Sequence, residues 1–124
     1  MIRNSTLTLI GAGVQIIPDR LPAVIESFNW VNKARLFELF KKNKVGQVML
    51  LSGDVHYAQM FDNKCRSLSG QRKLVEVTSS GLSHTQQDFA IPFSVDNMNL
   101  VTSKFFSISD AFMDLNFGEI RISK

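Results

Sequence analysis

Gln47-Val48-Met49-Leu50-Leu51-Ser52-Gly53-Asp54-Val55-His56 is the stretch around which the chain is organised. After Gln47 the run is apolar without alternation, the pattern of a strand covered on both faces. It stops abruptly at Ser52-Gly53 and is followed by a carboxylate and an imidazole two residues apart. In an extended backbone such positions point to the same side. Asp54 and His56 are therefore expected to face one site at the carboxyl end of the strand, the edge where open α/β sheets bind ligands. Gly53 is expected to let the backbone turn sharply and approach a ligand closely.

Working outward, Thr6-Leu7-Thr8-Leu9-Ile10 has the β-rich composition of an earlier strand, broken by Gly11-Ala12-Gly13. Val14-Gln15-Ile16-Ile17 reads as a second extended run ended by Pro18. A helix is expected over 32–42, with Asn32 as its N-cap. Leu36, Phe37, Leu39 and Phe40 share one side of it, and Arg35, Glu38, Lys41 and Lys42 the other. Beyond the central strand, Leu74-Val75-Glu76-Val77 reads as a strand ending in Thr78-Ser79-Ser80-Gly81, with polar residues 62–73 as the connection. Residues 89–99 carry no readable pattern. Residues 105–108 and 117–122 read as two further strands linked by 110–116, Ile120 and Ile122 opposing Glu119 and Arg121. Strands outnumber helices, which predicts a mixed α/β layer structure.

The 124 residues suit one domain, and 44% apolar content excludes a collagen-like or generally disordered chain. No apolar run approaches the ~20 residues needed to span a bilayer. The net charge of +3 is spread along the chain apart from Lys41-Lys42-Asn43-Lys44, which reads as a solvated helix end rather than a nucleic-acid surface. No signal peptide is read at the start: residues 7–12 are interrupted by Thr8 and Gly11, and no small-residue cleavage site follows. The compartment is thus left open. A single cysteine, Cys65, excludes an internal disulfide framework and a cysteine-rich zinc site.

A carboxylate oxygen beside an imidazole nitrogen suits divalent or trivalent metals. Two such ions about 3.5–4 Å apart polarise a phosphoryl group and generate a hydroxide. A plainer reading stands beside this one: Asp54 caps a turn and His56 is a satisfied polar residue. Ser79, Ser80 and His84 invite comparison with a nucleophile and its base. There is no Gly-x-Ser-x-Gly elbow and no orienting carboxylate, so a rim or turn role is favoured. No residue is assigned as catalytic. Tyr57 either lines the pocket or packs beside it, and Trp30 and the ten Phe read as core or interface.

Leu51-Ser52-Gly53-Asp54-Val55-His56-Tyr57-Ala58 resembles the last metal-binding motif of the PhoD-like (alkaline phosphatase D) metallophosphatases. Three further segments are similar to that family in order and spacing. They are Gly13-Val14-Gln15, Thr78-Ser79-Ser80-Gly81-Leu82-Ser83-His84 and Asn116-Phe117-Gly118-Glu119-Ile120. Trp30 and the Arg35-Leu36-Phe37-Glu38-Leu39-Phe40 helix also fit. The resemblance implies a four-layer αββα metallophosphoesterase fold, of which residues 1–124 would be the C-terminal portion, with mixed sheets and few helices. It implies hydrolysis of phosphate mono- or diesters at a dinuclear metal centre, of iron and calcium in bacterial members. By position, His56 would be a ligand of the iron-like site and Asp54 of its calcium-like neighbour. Gln15, Gly53, Tyr57, Ser79, Ser80 and His84 are the candidates for the substrate pocket.

The sequence also departs from that pattern. Gln59 stands where the family often has Glu, Ala12 where Ser is common, and Cys65 does not match the family's cysteine. The remaining ligands, an early Asp, an Asn and a Cys or Tyr, would precede Met1. The resemblance therefore implies a fragment completed by an N-terminal half or a partner chain, inactive alone because two donors cannot hold two metals. The alternatives are a non-catalytic remnant or interaction module that folds against a partner, and an unrelated α/β domain.

Overall fold

The computed structural model describes residues 6–18, 30–42, 46–62, 74–85, 88 and 108–123. Within them the chain runs β1 (Leu7–Gly11), α1 (Trp30–Lys42), β2 (Gln47–Ser52), β3 (Ala58–Asp62) and β4 (Val75–Ser79). This is a small mixed α/β domain with one four-stranded sheet in the order β1-β2-β4-β3 among the described residues. β1, β2 and β4 are parallel, and β3 closes antiparallel on β4. The carboxyl ends of three strands therefore share one edge.

The register builds one core face from apolar and polar rows. Ile10, Leu50, Glu76 and Phe61 lie in line across the sheet, and Ser52, Thr78 and Gln59 form the next row. Against this face pack Ile16, Ile17 and Phe37, with Leu36 and Phe40 partly buried beside them. Complete burial of side chains such as Leu50 and Phe61 stabilises the fold by roughly 1.5–3 kcal/mol each. Phe37 and Phe40 meet with their rings tilted, 6.3 Å apart. Leu39, expected on the same apolar side, is 54% exposed instead.

Several expectations need correction. Residues 14–17 are not a strand but a bent segment whose Gln15, Ile16 and Ile17 are buried. Their backbone N–H groups at 16 and 17 bond a side chain rather than a neighbouring strand. The helix starts at Trp30, so Asn32 lies inside its first turn and caps nothing. β2 alternates: Val48, Leu50 and Ser52 are buried, Met49 and Leu51 only half-buried. β3 is a strand that no apolar run announced.

Residues 117–122 form no strand. The outer edge of β3 is already engaged: Ile108 N–H donates to the Met60 carbonyl, and Ala58 and Phe112 exchange backbone bonds at 2.9 and 2.8 Å. Phe117 and Ile122 are 81% and 69% exposed, and Arg121 pairs with Glu119 two residues away. Ile108 sits at a bend, while 89–99 and 105–107 lie outside the described residues. No described helix is long and apolar enough to cross a membrane.

Candidate functional site

Three loops leave the common carboxyl edge, after β1, β2 and β4, and they meet. A Cβ placed on Gly53 would lie 3.6 Å from Ser80 Cβ and 3.9 Å from the Gly13 carbonyl, which is ordinary contact. The sharp turn expected at Gly53 falls one residue later. Asp54 and His56 are the left-handed residues, with φ of 64° and 58°. The segment is therefore not extended, and the reasoning that put both side chains on one side of a strand does not apply. Asp and His tolerate this region better than most residues, yet it still costs free energy. Such strain persists only where surrounding structure over-determines it.

That structure is visible around the loop. Val55 and Tyr57 are buried in a small cluster with Ala111 and Met113, and this anchors the loop from below. Asp54 is left exposed and His56 half-buried. From the side, Ser80 Oγ accepts hydrogen bonds from Val55 N–H at 3.2 Å and His56 N–H at 2.9 Å. Two successive N–H groups converging from a left-handed turn form a concavity suited to an electronegative atom, and here the Ser80 oxygen fills it.

The Ser-rich loop is braced in turn by Asn116. Asn116 Oδ1 accepts from Ser79 Oγ at 2.9 Å and from Gly81 N–H at 3.3 Å, while its own N–H donates to the Gly81 carbonyl at 2.9 Å. A Cβ at Gly81 would collide with Asn116 Nδ2 and lie 3.2 Å from the Asp114 carbonyl. Gly81 is needed for this close approach. Gly118 lies against Ser79, whose Cβ would be 3.5 Å from a Cβ placed on that glycine. All four segments singled out in the sequence thus gather at one edge of the sheet.

Beneath them lies a buried polar chain that sequence reasoning missed, apart from its two upper members. Gln15 and Tyr57 do not line an open pocket; both are fully buried, with Tyr57 O–H donating to Gln15 Oε1 at 3.3 Å. Gln15 Nε2 donates to Thr78 Oγ1 at 2.8 Å, and Thr78 meets Ser52 Oγ at 2.7 Å. The Ser52 hydroxyl bonds the Glu76 carboxylate. Either hydroxyl of the Thr78–Ser52 pair can be the donor, so the chain links Tyr57 to Glu76 without a fixed direction.

Glu76 is fully buried, and its two oxygens receive Ile16 N–H at 2.8 Å and Ile17 N–H at 2.6 Å. Burial pushes its carboxyl up from the usual 4.5, against the pull of Ser52, the two backbone N–H groups and the Lys33 charge. Lys33 Nζ closes the chain on the Ile17 carbonyl at 2.5 Å. No local signal announced this, because a strand pattern such as Val75-Glu76-Val77 does not say which row of side chains is buried.

His84 is exposed, with Nδ1 3.1 Å from Ser83 Oγ. It stands within electrostatic reach of Asp88, as does His56. The Asp88 carboxyl is held below its usual 3.8 first by Thr85 N–H, then by the Thr85 hydroxyl, with smaller help from the two histidines. Gln59 is buried on β3 and donates to the Ser109 carbonyl at 3.2 Å.

A cleft of about 490 Å³ lies on the second face of the sheet, between Met49, Leu51, Val75 and Val77 and the passing segment 118–121, and of the pocket candidates only Ser79 lines it. It is apolar and includes neither Asp54 nor His56. Among the described residues no three His, Cys, Asp or Glu side chains are grouped so as to hold a metal ion. Compared with family models, curated proteins and solved structures, the chain matches none.

Proposed function

We propose that this chain is the C-terminal portion of a PhoD-like metal-dependent phosphatase or phosphodiesterase. On this reading it belongs to a four-layer metallophosphoesterase fold and contributes Asp54 and His56 to a dinuclear centre that hydrolyses phosphate esters. One observation carries the reading. The four segments that resemble the family, far apart in the chain, meet at the carboxyl edge of a largely parallel sheet, with Asp54 and His56 on a strained loop between them. Strain of this kind concentrates at functional sites.

The described residues do not by themselves fit a metal centre, since they group no three suitable donors. Asp54 and His56 therefore stand as two donors of a larger set. Iron and calcium are the ions the resemblance implies. Tested alone with a nitrophenyl phosphate ester and both ions, the 124-residue chain should show little turnover; robust turnover would refute the fragment reading.

Reading the gene upstream of the Met1 codon provides the positive test. An in-frame extension carrying Asp and Asn donors, together with an extended protein that hydrolyses the ester and loses this activity on Asp54→Asn or His56→Ala, is the expected result. An extended protein that is inactive, or indifferent to both substitutions, overturns the reading.

A second reading, an interaction module that folds against a partner, is favoured by the apolar second face of the sheet. There Leu9 and Met60 are 44% and 48% exposed. An upstream in-frame stop codon together with a stable complex in pull-downs would support it.

A further inference from the structure

We propose that Ser80 is the positioning residue of the site: its hydroxyl oxygen holds the Asp54–His56 loop in its left-handed conformation and so sets where both side chains project. That these side chains act together rests on the reading above, but the holding does not. A serine oxygen has two acceptor positions and one proton. Both positions are taken, by Val55 N–H and His56 N–H. Left-handed backbone at two residues out of three is unfavourable unless something collects the N–H groups it turns inward, and Ser80 Oγ is the atom that does so.

Ser80 is itself placed from both sides. The Asn116 side chain grips Ser79 and Gly81, its chain neighbours. β4 fixes Ser79 by pairing it with Ala58. The order of control thus runs from Asn116 through the Ser79–Gly81 loop to Ser80, and from Ser80 to Asp54 and His56. Ser80 is 24 residues from His56 in the chain, so no local sequence rule reports the contact.

The test uses the 124-residue chain labelled with nitrogen-15 and carbon-13. In Ser80→Ala, hydrogen exchange at the Val55 and His56 amides should quicken by about fivefold or more, the scale of one lost hydrogen bond. The Cα and Hα shifts of Asp54 and His56 should leave their left-handed values. Exchange at Leu50 and Val77 should stay unchanged, and Ser80→Thr, which keeps the hydroxyl, should restore the wild-type pattern. If Ser80→Ala loses its dispersed spectrum, Ser80→Cys replaces the strong acceptor by a weak one at similar volume and is read by the same criteria.

Unchanged protection of Val55 and His56 without the hydroxyl, or failure of Thr to restore it, overturns the proposal. Neither outcome depends on ester hydrolysis. A failure of the Asp54 and His56 activity tests therefore sinks the functional reading and leaves this proposal standing.

Discussion

Replacing Glu76 by Gln keeps the shape of the buried side chain and removes one acceptor. The carboxylate serves two backbone donors, Ile16 N–H and Ile17 N–H, and also the Ser52 hydroxyl. A carboxamide has one oxygen, so one backbone N–H is left facing an NH₂ group. An orphaned buried donor costs about 1–3 kcal/mol. Against this, the substitution relieves the burial of a carboxylate, the influence that dominates the upward displacement of its pKa. The net expectation is a loss of about 1–2 kcal/mol, the orphaned donor outweighing the relief. With a urea dependence of about 1–3 kcal/mol per molar, the unfolding midpoint should fall by about 1 M.

The pH dependence provides a second check on the same variant. Because the folded carboxyl sits above the ordinary 4.5, the folded chain keeps its proton at pH values where the unfolded chain has lost it. Stability contributed by Glu76 is therefore complete below that value and declines as the pH rises through the folded one. The Glu76→Gln variant lacks this decline, so its deficit should narrow as the pH is raised from 4.5. Urea unfolding followed by circular dichroism across that range is the assay. A deficit that stays constant or widens, or a variant as stable as wild type throughout, would refute the reasoning.

Gly81→Ala should destabilise by about 1–3 kcal/mol through the clash with Asn116, and Gly81→Ala with Asn116→Ala should cost less than the two changes summed. At Asp54, valine should cost about 1–2 kcal/mol and glycine nothing, because the left-handed φ excludes β-branched side chains and suits glycine; thermal unfolding compares the two. The Asp88 carboxyl should titrate by NMR below the usual 3.8 and return toward it in Thr85→Val, and the stability it contributes should fade as the pH drops through the folded value.

How much of this was legible follows from what each pattern encodes. β1, β2 and β4 were readable as strands because stretches rich in Thr, Val, Leu and Ile end at Gly or Ser. β3 was not, because Gln59 and Asp62 flank Met60 and Phe61 and make five residues look polar. Its burial comes from pairing with β4, which is a tertiary fact. The inward side chain of Glu76 went unread for a related reason. Alternation with Val75 and Val77 places it outward only if the sheet has a wet face, whereas here the carboxylate turns inward and the valines face the apolar cleft.

At the site, residue types were informative and backbone was not. Gly53 drew attention as the flexible point, yet Asp54 and His56 carry the positive φ. Both belong to the few types that tolerate it, and this was the available signal. The hold of Ser80 on the loop had none.

The tie between Glu76 and the bent segment after β1 also bears on the order of assembly. It joins residues 60 and 59 positions apart, a costly closure for an open chain. Once β1, β2 and β4 have aligned, the two partners are already neighbours and the remaining closure is short. The carboxylate is thus a latch fastened after the sheet has zipped. Damage to it should show mainly as faster opening of the native chain, with the rate of collapse left nearly as it was.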